Sequence, residues 1–277
     1  RYKFVKGDIC DKETVDNLVK GVDAIVNFAA ETHVDRSIVS AGSFVMSDVF
    51  GTYTLLETAR RHSVKKFIHI GTDEVYGSIS DGSFDEADKF NPSSPYAASK
   101  AAADLLAMSF YQTYGVPVVI ARSTNNFGPY QHPEKFIPKM IINAILDKEL
   151  PIYGKGDNVR DWLFVEDNCN ALLLLLTKGK IGETYNISGN SEKQNIEVVK
   201  TILEILEKEN NLIKFVGDRP AHYFRYSISS EKVQELGWTT TNSFGENLRK
   251  TIEWYKTNEW WWKKILSTTD VDFHKKF

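Results

Sequence analysis

Phe67-Ile68-His69-Ile70-Gly71-Thr72-Asp73-Glu74-Val75-Tyr76-Gly77 is the stretch around which this chain is organised, and Ser93-Ser94-Pro95-Tyr96-Ala97-Ala98-Ser99-Lys100 completes it after an irregular, acidic loop. The first part reads as a buried strand that ends in a hydroxyl and two carboxylates. The second reads as the opening turns of a helix, with Pro in its first turn. Tyr96 and Lys100 are four positions apart, which stacks them on one helix face. A phenol is a poor base at neutral pH, and an ammonium beside it stabilises the phenolate. Thr72, Asp73 and Glu74 fall at a strand end, where open α/β sheets bind ligands. Taken alone, Tyr-x-x-x-Lys marks an ordinary helix surface more often than a site. The strand-end triplet ahead of it reverses that reading.

The chain has 277 residues, 42% hydrophobic and 26% charged, ordinary for one large domain or two unequal ones. With 34 basic and 37 acidic residues the net charge is −3, so no polyanion-binding surface is indicated and nucleic acid is not an expected partner. Cys10 and Cys169 are the only cysteines, too few for a disulfide framework or a cysteine metal site, and no metal is expected. They fit a reduced, cytoplasmic setting. No apolar run approaches the roughly 18 residues of a membrane span. Leu172 to Leu176 reads as part of a buried helix.

Around the central stretch the pattern alternates. Tyr2 to Val5 reads as a strand, and Asp11 as the N-cap of an amphipathic helix that Gly21 ends. Ala24 to Phe28 is a largely apolar run, as in a parallel strand covered on both faces. Ser43 to Arg61 reads as a helix with Phe44, Val45, Val49, Thr52, Leu55, Leu56 and Ala59 on one face. Pro95 to Tyr114 is a helix, and Pro117 to Arg122 the next strand. The fold class is therefore α/β, a doubly wound, Rossmann-like parallel sheet. Beyond Arg122, Ser123 to Tyr130 reads as a polar loop, and a smaller intertwined α/β substrate domain follows. The expected division is 1–125 with 161–187 for the sheet domain, and 126–160 with 188–277 for the other.

One signature of such a sheet is missing from the sequence. No Gly-rich dinucleotide turn occurs, and the chain opens at Arg1 without Met. The expectation is that the first βαβ unit lies upstream of Arg1.

These motifs resemble the extended short-chain dehydrogenase/reductases, and within them the sugar-nucleotide 4,6-dehydratases. The resemblance runs from Tyr2 to about Leu266. It is carried by Gly7 to Asp11, Ala29 to Ser37, Thr72 to Gly77, Tyr96 with Lys100, Asn125 to Tyr130, Pro151 to Gly154, Arg160 to Trp162 and Asp218 to Pro220. Asp73-Glu74 separates the dehydratases from the similar epimerases, which have small residues there.

The resemblance implies NAD as cofactor, with Asp8 and Ile9 at the adenine. Phe28, Ala29, Ala30, Glu31, Thr32, Ser47 and Asn126 would line the dinucleotide beside Tyr96 and Lys100. The implied substrate is a nucleoside-diphosphate glucose, dTDP-glucose first. Tyr96 would take the proton from the 4-hydroxyl as carbon 4 is oxidised by NAD, with Thr72 on the 4-oxygen and Lys100 on the nicotinamide ribose. Glu74 would remove the carbon-5 proton, and Asp73 would donate to the leaving 6-hydroxyl. Adjacent carboxylates push their pKa values apart, giving one acid and one base. Return of hydride to carbon 6 would regenerate NAD and leave a 4-keto-6-deoxy sugar. Thr32, Asn125, Lys135, Phe136, Pro151, Ile152, Tyr153, Arg160, Asn195, Asp218, Arg219, Pro220, Ala221 and His222 would surround the nucleotide. The resemblance further implies a homodimer paired through the helices at Ser43–Arg61 and Pro95–Tyr114.

Two departures stand out. The family has Gly at the position of Ala221 and an acidic residue at that of Tyr223. Two other readings stay open: a UDP-hexose 4-epimerase or decarboxylase of the same fold, against which Asp73 and Glu74 argue, and a non-catalytic sugar-nucleotide-binding protein.

Overall fold

In chain order the described strands are β1 (Ala24–Asn27), β2 (Lys66–Thr72), β3 (Val118–Ser123), β4 (Asn125–Phe127), β5 (Leu150–Tyr153), β6 (Val159–Phe164), β7 (Thr184–Ile187), β8 (Glu192–Gln194) and β9 (Ile213–Val216). The computed structural model describes residues 2–218 and 223–268. β1, β2, β3 and β7 form one parallel sheet in the order β1-β2-β3-β7, with Thr72 opposite Ser123. Helices cross between successive strands, so the sheet is doubly wound as the pattern predicts.

Alternation along β2 splits its side chains between two cores. Phe67 packs with Val118 and Ile120 against Val15, Leu56, Ala107 and Phe110 of the helices on one face. Ile68 packs with Val119, Ala121 and Tyr185 against Leu172 and Leu175 of the helix Val165–Lys178 on the other. Val233 and Trp238, far along the chain, seal that second face. A third core gathers Phe127, Ile141, Ile202, Leu248 and Trp262 around β4-β6-β8 and β5-β9. The cleft between this third core and the main sheet holds the site.

Helix boundaries follow local chemistry. Asp11 caps Lys12–Val19 by accepting from the N–H of Glu13 and Thr14, and Gly21 follows at φ +81°. Ser94 Oγ accepts from Ala97 N–H at 3.1 Å, Pro95 holds the first turn, and Gly115 at φ +70° ends Pro95–Tyr114. A cap of this kind stabilises by about 1 kcal/mol. It also fixes Tyr96 as the second residue of its helix.

Three expectations are corrected. Tyr2 to Val5 is not a strand: Tyr2 is 90% exposed, and no strand among the described residues offers it a partner. An extended segment with its backbone groups open to water gains nothing from its alternation. Asn125–Phe127, read as loop, is a strand because β6 pairs with it. Ser43 to Arg61 is helical but not uniform, since Val45–Gly51 forms a π turn. Phe44, Thr52, Leu55, Leu56 and Ala59 face inward as expected, Asp48 joins them, and Val45 turns out to solvent. The wider turn brings the Asp48 carboxylate to Ser99 Oγ at 2.6 Å and the Glu31 N–H at 2.8 Å.

Candidate active site

The carboxyl ends of β2 and β3 open into a cavity of about 450 Å³ between the sheet and the third core. β2 ends at Thr72, and the chain turns at once through the 3-10 helix Asp73–Tyr76. Thr72 caps that turn, accepting from the Glu74 N–H at 3.3 Å. Gly77 closes it at φ +88°, where an added Cβ would meet the Asn91 carbonyl at 2.6 Å. The turn therefore presents Thr72, Asp73 and Glu74 to the cavity together, and Tyr96 faces them from its helix.

The electrostatics distinguish the two acids. Asp73 is 3% exposed, and burial, followed by the charge of Glu74, pushes it up to about 8. It is a neutral carboxylic acid at pH 7. Its Oδ1 hydrogen-bonds the Thr72 hydroxyl at 3.1 Å, whereas its buried Oδ2 has no partner among the described residues. Burial, followed by the charge of Glu74, pushes the Tyr96 phenol above its ordinary value, while a hydrogen bond with Thr72 pulls the other way.

Lys100 stands off the cavity lining. Its side chain passes behind the cavity and donates to the Ile70 carbonyl at 2.5 Å. Burial pulls its pKa down, and Asp104 and Asp48 push back. Its ammonium meets β2 and feels these carboxylates in this arrangement.

Of the residues assigned to the dinucleotide, Thr32, Tyr96 and Asn126 line the cavity. Phe28 and Ala29 follow the end of β1, Phe28 60% exposed, and Ala30 and Glu31 continue that loop onto Asp48. Asp8, Ile9 and Ser47 lie outside the cavity lining. Asp8 accepts the Cys10 N–H, Ile9 packs close enough to Gly51 to exclude a Cβ there, and Ser47 sits in the π turn.

Of the residues assigned to the nucleotide, Thr32, Thr72, Asn125, Lys135, Phe136, Pro151, Tyr153, Arg160 and Asn195 line the cavity. Ile152 does not. β5 alternates, so Pro151 and Tyr153 face the cavity while Ile152, 1% exposed, points into the third core. Asp218 lies beside Gly154 and off the lining. Arg219, Pro220, Ala221 and His222 fall outside the described residues. Lys135 Nζ donates to the Thr32 carbonyl, tying the two halves across the cleft. Arg160 donates to the Tyr223 carbonyl at 3.0 Å and stacks on Tyr226. Asn125 Oδ1 and Asn126 Oδ1 are buried without a hydrogen-bond partner among the described residues, so they can accept from a ligand.

Sequence reasoning missed Glu134, Lys139, Asp35 and Thr124, which also line the cavity. Glu134 pairs with Arg36 at 2.7 Å, and the Tyr153 hydroxyl donates to Asp35. No local pattern marks them. Lys139 alone left a signal, as a lysine four positions after Lys135 within an otherwise apolar helix.

Comparison with known proteins identifies the family. Residues 1–251 match the family model described as GDP-mannose 4,6 dehydratase. The dTDP-glucose 4,6-dehydratase of Streptomyces niveus is 49% identical over 271 residues, covering 98% of this chain and 81% of the relative. That of Haemophilus influenzae is 49% identical, covering 93% and 84%. The structure of the dTDP-glucose 4,6-dehydratase DesIV from Streptomyces venezuelae, solved with NAD bound, superposes with a TM-score of 0.93 at 45% identity, covering 95% of this chain and 82% of that one. A UDP-glucose 4-epimerase from Thermotoga maritima superposes with a TM-score of 0.88 at 25% identity, covering 92% and 85%.

Proposed function

The chain belongs to the GDP-mannose 4,6 dehydratase family, and from that premise we propose that it dehydrates a nucleoside-diphosphate glucose, dTDP-glucose first, to the 4-keto-6-deoxy sugar. The observation that carries this reading is Asp73 beside Glu74. A buried acid protonated at pH 7 adjoins a second carboxylate, and Tyr96 stands opposite in the same cavity.

NAD fits the residues present: the parallel strands end together there, the alanines after β1 admit a flat ring, and Asn126 Oδ1 awaits a donor. The bound cofactor supplies oxidation at carbon 4 and reduction at carbon 6. Thr32, Tyr96, Lys100 and Asn126 are the residues proposed to hold it, with Asp8 and Ile9 at its adenine and Phe28, Ala29, Ala30, Glu31 and Ser47 along the dinucleotide.

The chain's own groups move the protons. Tyr96 takes the proton of the 4-hydroxyl, with Thr72 hydrogen-bonded to the 4-oxygen. Once carbon 4 is a ketone, the carbon-5 hydrogen is acidic, and Glu74 removes it. Asp73 gives its proton to the departing 6-hydroxyl, which leaves as water. Lys135, Arg160 and Asn195 hold the nucleoside diphosphate; arginine suits it by bidentate geometry.

We assign the nucleotide cofactor to residues 1–125 with 161–187 and the sugar nucleotide to 126–160 with 188–277. The exposed Val45, Met46 and Leu105, on the two helices nearest Tyr96, support pairing as a homodimer. Light scattering of the purified protein tests this. No helix among the described residues is long and apolar enough to cross a membrane, and a cytoplasmic setting is part of the proposal. The test of function is incubation with NAD and dTDP-glucose, read by the alkaline ultraviolet absorbance of the 4-keto product. Failure to form it sinks the dehydratase reading. An epimerised sugar in its place would restore the 4-epimerase alternative, which the 25% identical structure represents.

A further inference from the structure

Behind the cavity, within the sheet, lies a second set of polar side chains that the reaction itself does not use. Asp104 is one helical turn beyond Lys100, as Lys100 is one turn beyond Tyr96. Its Oδ2 accepts from Arg122 Nε at 2.7 Å, and its Oδ1 stands 3.3 Å from His69 Nε2. Arg122 donates in turn to the Tyr76 hydroxyl at 2.5 Å, and Tyr76 donates to Asn186 Oδ1 at 2.9 Å. Asp104, His69, Arg122 and Tyr76 are all at most 4% exposed. Tyr76 is the last residue of the 3-10 turn that begins at Asp73.

We propose that Asp104 is a positioning residue, joining the helix of Tyr96 and Lys100, through Arg122 and Tyr76, to the turn of Asp73 and Glu74. This deepens the proposed function and rests on it. A buried carboxylate and guanidinium are costly unless paired with good geometry, and such pairs fix one arrangement of the elements they join. Here those elements carry the two halves of the chemistry: oxidation needs Tyr96, and elimination needs Asp73 and Glu74. Gly71 is part of the fit, since a Cβ there would stand 2.9 Å from Asp104 Oδ1.

Asp104 also faces Lys100 electrostatically. The groups that act on Lys100 are Asp104 on its own helix and Asp48 on the π turn, and Lys100 in turn acts on His69 of β2. Burial keeps His69 below its ordinary value, so it stays neutral at pH 7. The carboxylates therefore offset part of the effect of burial on Lys100.

The test uses the full chain with NAD and dTDP-glucose. Asp104→Asn keeps the shape and an acceptor for Arg122 but removes the charge. In Asp104→Asn the single-turnover appearance of bound NADH is expected to slow about tenfold with KM unchanged, and hydrogen exchange in residues 73–77 to quicken. A folded Asp104→Asn with both unchanged overturns the proposal.

Tyr76→Phe keeps every charge and ring contact but cuts the link, and it decides the matter if Asp104→Asn does not fold. Expected are a roughly tenfold fall in kcat with an unchanged KM, and faster hydrogen exchange in residues 73–77. Unchanged kcat and exchange overturn the proposal. Exchange needs no turnover, so an inactive wild type would sink the proposed function and still leave this arm able to decide.

Discussion

Lys100 donates its ammonium to the Ile70 carbonyl at 2.5 Å, one helical turn beyond the Tyr96 phenol it was expected to address. The phenol is instead surrounded by Thr72, Asp73 and Glu74, and burial with these acids disfavours its ionised form. Tyr96 thus rests as a phenol hydrogen-bonded with Thr72, and it takes the 4-hydroxyl proton only as the phenolate, after that first proton has left.

Tyr96→Phe removes the group that takes the 4-hydroxyl proton and little else, since the ring still packs edge-on against Phe44. We expect kcat to fall by about 10²–10⁴-fold, the usual worth of general acid–base catalysis. Binding of the nucleotide, measured by calorimetry, should not change. An active Tyr96→Phe would remove the phenol from the mechanism.

Glu74→Gln should stop elimination while leaving oxidation at carbon 4. Mass spectrometry would then find no loss of water, but solvent deuterium should still fail to enter carbon 5. A variant that eliminates water at the parent rate shows that Glu74 is not the base.

Asp73 sets a pH dependence whose sign is fixed by its raised pKa. The acid form donates below about 8 and is lost as pH rises through that value, so the elimination rate should decline on the alkaline side. Stability follows the same direction. The folded state keeps a proton that the unfolded state loses near the ordinary value of 3.8, so this contribution falls as pH rises from there to about 8. Asp73→Asn should remove that decline in stability while lowering kcat, because an amide cannot give up the proton. Urea unfolding across this pH range measures the first effect.

Ile152→Ala tests the placement of that residue in the third core. Large-to-small changes at such sites cost about 2–5 kcal/mol. We expect a lowered urea midpoint and an unchanged KM. A raised KM at parental stability would return Ile152 to the nucleotide site.

Much of the site was legible in the sequence because it is local. A strand end followed by a tight turn brings Thr72, Asp73 and Glu74 together in consecutive positions. A capped helix start fixes Tyr96. The errors came where a neighbour overrode the local pattern. Tyr2 to Val5 has strand character and no partner, Asn125–Phe127 has loop character and a partner in β6, and Asp48 draws the middle of a helix into a π turn.

The sequence by itself determined the order in which most of the strands and helices follow, because caps, periodicity and turn residues act over a few positions. Only the tertiary structure decided that Asp73 is an acid and not a carboxylate, where Lys100 spends its charge, and that Asp104, Arg122 and Tyr76 meet. Those depend on burial and on contacts between residues far apart in the chain, and desolvation is a property of the folded surroundings, not of the residue.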